Sequence, residues 1–129
     1  MFKKNENIIE QLETILNALR RIPRRFAGIK TATDFSQSEE GIDKLDAICM
    51  ILIAAGEAFK RLDQKTEGQL LIHYPQVDWK GVKGVRDVIA HGYFDVDSEQ
   101  LFNLCRDDIP ILIQTVQQMI IDITKLSDS

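Results

Sequence analysis

The chain is short of the residues that most often carry metal or redox chemistry. Two cysteines, Cys49 and Cys105, and two histidines, His73 and His91, are all it has in 129 residues. No Cys-x-x-Cys occurs and the histidines are not at ligand spacing, so neither a metal nor any other cofactor is expected. Both cysteines fall within apolar helical patterns and read as small core residues. Seven glycines and three prolines are too few for a disordered chain. The longest apolar run, Ala47 to Ala55, is far too short to span a bilayer. No apolar signal core follows Met-Phe-Lys-Lys-Asn-Glu-Asn at the start, so a cytoplasmic location is expected. Strand patterns, internal repeats and low-complexity tracts are missing too.

What is present suits one domain over residues 1–129, with 44% hydrophobic and 28% charged residues. A chain of this length buries roughly two-thirds of its unfolded surface, enough for one core. The net charge of −4 does not advertise nucleic-acid binding. Its distribution is uneven, however. Arg20, Arg21, Arg24, Arg25 and Lys30 occur with no acid between positions 20 and 30, whereas Asp95, Asp97, Glu99, Asp107 and Asp108 cluster further on. The basic stretch reads either as a solvated helix end or as a local patch able to meet phosphates.

Apolar periodicity predicts helices throughout. Ile8, Ile9, Leu12, Ile15, Leu16 and Leu19 mark an amphipathic helix over 5–21, which Pro23 is expected to have ended. Residues 22–37 read as a connection. Ser36 or Ser38 opens a long helix running to about Leu62, with Glu39 and Glu40 in its first turn. From Ala47 to Phe59 this helix is apolar nearly all round, which predicts burial on more than one side and suggests a second subunit as cover. Glu57 interrupts that run, either reaching solvent or supporting the edge of a site. A short helix is expected around Glu67 to Ile72, broken by Tyr74-Pro75. Asp78 can cap the next helix, weakened by Gly81 and Gly84 and stopped by Gly92 just after His91. Asp97, with Gln100 three residues on, starts the last helix, which Pro110 kinks or restarts. The expected fold is an all-α up-and-down bundle of four to five helices.

The candidate site is the stretch Gly84-Val-Arg-Asp-Val-Ile-Ala-His-Gly-Tyr-Phe94. It gathers Arg86, Asp87, His91 and Tyr93 among small and apolar residues, unlike a solvated face. On a continuous helix Asp87 and His91 are one turn apart, so the carboxylate can fix the imidazole tautomer. Arg86 lies roughly 140° around the same helix at 3.6 residues per turn. It must therefore converge through its length, through the loosened helix end or across a subunit interface. These groups, without metal ligands, suit phosphodiester transfer within RNA. An imidazole takes the ribose 2′-hydroxyl proton, and a guanidinium holds the phosphate bidentately as its charge builds. DNA lacks that hydroxyl. The leaving 5′-oxygen needs an acid, and a symmetric dimer would provide a second His91. The spacing alone also fits a structural histidine with Arg86 paired to a nearby acid.

With its surroundings, the motif is more specific. Tyr74-Pro-Gln-Val-Asp-Trp79, Gly84-Val-Arg-Asp-Val-Ile-Ala-His91-Gly-Tyr93-Phe-Asp-Val-Asp97, Asp107-Asp-Ile-Pro110 and Gly56-Glu-Ala58 together resemble the HepT-like family of HEPN-domain toxins. The resemblance covers nearly the whole chain and includes an intact RxxxxHxY core. It implies a helical homodimer with two motifs lining a cleft, and metal-independent RNA cleavage by Arg86 and His91 with Asp87 assisting. It also implies a type VII toxin–antitoxin pairing with a minimal nucleotidyltransferase that transfers AMP to Tyr93. An alternative role is that of a non-catalytic, substrate-binding or regulatory subunit of the nucleotidyltransferase.

Overall fold

The structure, a computed structural model, describes residues 2–90 and 95–128. Seven α-helical segments occur among these residues: α1 (Phe2–Leu19), α2 (Arg21–Phe26), α3 (Glu39–Lys65), α4 (Trp79–Lys83), α5 (Val85–Ile89), α6 (Ser98–Asn103) and α7 (Ile109–Asp128). The last two are pieces of one rod, joined by a π segment, and the architecture is the expected all-α bundle. The nearest approach to a strand among the described residues is a single antiparallel bridge between Ala90 and Val96.

The frame is α1 laid between α3 and α7. Ile8, Leu12, Ile15, Leu16 and Leu19 are buried, as their three-and-four spacing requires. Asn5 donates to Ser127 Oγ at 3.2 Å, so the start of α1 lies beside the end of α7 and the two run antiparallel. On α3, Ile48, Leu52, Ala55, Phe59 and Leu62 face the core. Its other side is open: Met50 is 75% exposed, and Ala54 and Glu57 are exposed as well. Burial of this helix on more than one side is therefore not achieved within one chain.

Four local departures from the sequence reading have physical causes. The first helix has ended at Leu19, ahead of Pro23 as expected, but residues 22–37 are not all connection, because Pro23 lies in a second helix. It is the third residue of α2, in the first turn, where its missing N–H is not needed. The chain turns away only after Phe26, through Gly28 at φ 91°. In place of a helix at 67–72, Glu67 and Gly68 adopt positive φ, and only Leu71–His73 coils, as a 3₁₀ turn. The helix after Asp78 is split at Gly84, which closes α4 and opens α5. The last rod widens into a π segment over Leu104–Asp108, with the Ile109 N–H bonded back to Leu104 O. Pro110 accounts for that widening. It offers no N–H and its ring would crowd the carbonyl four residues back, which a wider turn relieves.

Three caps hold where the sequence placed them, whereas α1 begins at Phe2, so neither Asn5 nor Asn7 caps its start. Ser38 Oγ accepts from Gly41 N at 2.9 Å, and α3 runs on to Lys65, past the expected Leu62. Asp78 Oδ1 accepts from Gly81 N at 3.1 Å, and Asp97 Oδ1 from Gln100 N at 3.0 Å.

Candidate functional site

The motif helix is seated by a close approach of two backbones. A Cβ on Gly56 of α3 would stand 2.7 Å from the Val82 carbonyl oxygen and 3.3 Å from a Val85 methyl. Only glycine lets α4 and α5 lie this near α3. Lys83 then reaches Asp63 of α3 at 2.8 Å, an ion pair with both side chains largely shielded. Trp79 donates to the Tyr74 carbonyl at 2.9 Å and packs against Phe59 with ring centroids 5.1 Å apart. Tyr74 in turn donates to Asp122 of α7 at 2.7 Å. Burial first, then the Asp122 partner, holds the Tyr74 phenol well above its ordinary range. The Tyr74-to-Trp79 stretch is thus a clamp joining the motif helix to α3 and α7.

On this seat, α5 turns Val85 and Ile89 inward and leaves Arg86 and Asp87 exposed. Neither exposed side chain has an ion-pair partner among the described residues. The salt-bridged arginine that spacing alone also permits does not form there. His91 and Tyr93 lie outside the described residues, as does Gly92, the expected helix stop. The helix ends at Ile89, and Ala90 is extended at φ −128° and ψ 122°. Ala90 then pairs with Val96, and Asp97 N donates to Ile89 O at 2.7 Å. Residues on either side of 91–94 are thereby drawn together. The expectation that Asp87 and His91 share a helix face one turn apart is corrected: no helix connects them. The roughly 140° helical offset of Arg86 from His91 falls for the same reason. The bridge takes the backbone that the helix would have used.

Glu57, the neighbour of Gly56, is exposed and has no ion-pair partner among the described residues. No group of three or more His, Cys, Asp and Glu able to hold a metal occurs among the described residues. No helix there is long and apolar enough to cross a membrane.

Sequence reasoning missed a cavity of about 230 Å³ behind α5. Leu19, Leu52, Val85, Val88 and Leu112 line it, with Asp78 and Asp108 among its polar groups. Burial, followed by the charges of Asp107 and Asp78, raises the Asp108 carboxyl above its ordinary range. Gly56 carried a signal for the close approach, being a glycine inside an otherwise apolar helix. The partnership of Asp63 with Lys83 had none, because 20 residues separate them.

Known proteins of two kinds are similar to this chain in sequence. The family described as "Ribonuclease HepT-like" matches residues 9–119, including the clamp, the motif and most of α7. Two proteins of Methanocaldococcus jannaschii are similar. "Putative RNase MJ0127" is 32% identical over 77 residues, covering 60% of this chain and 60% of that protein. "Putative RNase MJ1380" is 32% identical over 44 residues, covering 34% of this chain and 40% of that protein. The chain thus spans less than two-thirds of either relative's length. No solved structure matches the chain significantly. With a match running from α1 through the motif into α7, the chain belongs to the HepT-like ribonuclease family.

Proposed function

We propose that the protein is a metal-independent RNA endonuclease, the toxin of a type VII toxin–antitoxin pair. The observation that carries this reading is an exposed Arg86 with no ion-pair partner among the described residues, at the head of an RxxxxHxY motif in a chain of this family. A guanidinium that meets no acid among the described residues can take a phosphate bidentately. In the proposed reaction His91 accepts the proton of a ribose 2′-hydroxyl. The oxygen attacks the adjacent phosphorus, the bond to the 5′-oxygen breaks, and a cyclic phosphate forms. Arg86 stabilises the charge on the phosphoryl oxygens, and Asp87 supports the motif. The leaving oxygen takes its proton from an imidazolium, supplied by His91 of a second subunit in a homodimer.

Regulation is proposed to run through Tyr93. A cognate minimal nucleotidyltransferase joins the tyrosine oxygen to the α-phosphorus of ATP, and pyrophosphate leaves. The added bulk and negative charge exclude RNA from the phosphate site. The non-catalytic alternative, a regulatory subunit of that nucleotidyltransferase, differs in a directly measurable way. Purified protein should cleave total RNA in EDTA, and His91→Ala should abolish cleavage with helicity unchanged. Arg86→Lys should lose roughly 100-fold or more in rate, since a point charge does not replace the planar fork. Cleavage by His91→Ala at the wild-type rate would reject the assignment. No cleavage, with tight binding to the nucleotidyltransferase, would favour the regulatory subunit.

A further inference from the structure

We propose that Arg20, Arg21 and Arg24 form a second phosphate-binding surface, a shelf beside the motif helix along which the RNA strand is held. This rests on the ribonuclease reading and deepens it: the substrate is an RNA several nucleotides long, gripped at phosphates remote from the bond that breaks.

Three observations carry the proposal. First, the three side chains are exposed and none has an ion-pair partner among the described residues. Arg25 is satisfied differently, by a hydrogen bond from its Nη1 to Arg21 O at 3.4 Å. The neighbouring acids do not neutralise the shelf. Asp107, on the π segment that α2 packs against, is held by Arg106 at 2.8 Å. Asp34 turns its Oδ2 to the backbone N–H groups of Lys30 and Thr31.

Second, the arrangement is self-repelling. Arg20 itself has helical backbone, at φ −65° and ψ −17°. Arg20 and Arg24 are therefore four apart on one face, with Arg21 three before Arg24, so like charges stand at neighbouring positions. The C-terminal ends of α1 and α2 both favour cations here, but a dipole end does not remove the repulsion among three that meet no acid among the described residues. An anion bound from outside relieves this repulsion; phosphates at regular intervals do so for all three.

Third, the shelf starts beside the cavity behind the motif helix. Leu19, the residue before Arg20, lines the same cavity as Val85 and Val88, which flank Arg86 and Asp87. An otherwise acidic protein, with net charge −4, thus begins its densest acid-free run of cations directly after a residue of the cavity behind α5.

The test uses full-length protein carrying His91→Ala, so that RNA remains intact, and a labelled single-stranded RNA of about 20 nucleotides, a length that covers several phosphate contacts. Binding is followed by fluorescence anisotropy across a range of salt concentrations. Adding Arg21→Gln and Arg24→Gln should reduce the slope of log affinity against log salt by about 1.4, near 0.7 per lost phosphate contact. Arg21→Lys with Arg24→Lys should retain most of the slope, which a merely structural role for the arginines would not predict. An unchanged slope in the Gln variant overturns the shelf. So does a Lys variant as impaired as the Gln variant, or dependence of phosphatidylglycerol-vesicle binding on these arginines with RNA binding unaffected. The underlying reading fails separately. If the Gln changes weaken RNA binding but protein with His91 intact cleaves nothing, the shelf stands and the nuclease does not. If that protein cleaves and the Gln changes are silent, the reverse holds.

Discussion

A buried thiol records how dry its surroundings are. Burial, then the charge of Asp46, pushes Cys49 up to about 11, and burial, then Cys49, pushes Cys105 up to about 12. Both were legible as core residues because their neighbours repeat with helical spacing. At pH 8 neither should react with a thiol reagent such as DTNB until urea unfolds the chain; rapid labelling of the native protein would show that the core opens there. The same shifts give a pH dependence. In the unfolded chain the thiols lose protons near their ordinary value of 9, whereas the folded chain keeps them until about 11 and 12. Stability from this source is complete below about pH 8.5 and falls as pH rises from there toward 12. Urea midpoints measured from pH 8 to 11 should decline, and Cys49→Ala with Cys105→Ala should flatten that decline. Roles for Arg86 and His91 could be proposed from the sequence because motif chemistry depends on residue type and order. Their geometry could not, since Ala90 gives up helix for a bridge with a partner six positions on.

Among the elements, α4 and α5 depend most on their neighbours. At five residues each, neither is long enough to be stable in isolation, so packing on α3 must hold them. Gly56→Ala tests that dependence. The added methyl would stand 2.7 Å from the Val82 carbonyl, which is backbone and cannot swing aside. The substitution should destabilise the protein by about 1–3 kcal/mol in urea unfolding and lower RNA cleavage, with α1 and α7 remaining helical by hydrogen exchange. A fully stable, fully active variant would mean that α5 is positioned by something else. Periodicity revealed the long helices because α1, α3 and α7 each bury a continuous stripe. It said little of breaks, which are settled by single residues in context. Pro23 is harmless in a first turn, Gly84 divides one helix into two, and Glu67 and Gly68 spend a predicted helix on left-handed backbone.

For the molecule as a whole, the surface of α3 bears on assembly. Ala47, Met50, Ile53 and Ala54 share one side of the helix at three- and four-residue spacing, and Met50 and Ala54 are exposed. Ile42 extends the apolar surface nearer the start of the helix, 45% exposed. A homodimer closing over this face would remove it from water and supply the second His91 of the proposed reaction. Met50→Asp should therefore shift sedimentation from dimer to monomer at micromolar concentration and reduce RNA cleavage in parallel. A wild-type protein that sediments as a monomer would reject the paired mechanism. All-α architecture was legible from the sequence. Whether the apolar excess on α3 is covered within one chain was not, because periodicity reports which side of a helix is greasy and not what meets it.

The wide turn ahead of Pro110 fixes a count as well as a bend. Ile109 bonds back five residues to Leu104, so this rod contains one residue more than a plain α-helix would use over the same turn. Excising a single residue between 104 and 108 would restore ordinary winding and leave α7 in its seat. Everything before the cut would then swing about 100° around the axis. Leu101 would be carried out of the interior and Asp97 away from Ile89. A deletion that makes the helix more regular would thus unfasten the returning end of the motif segment.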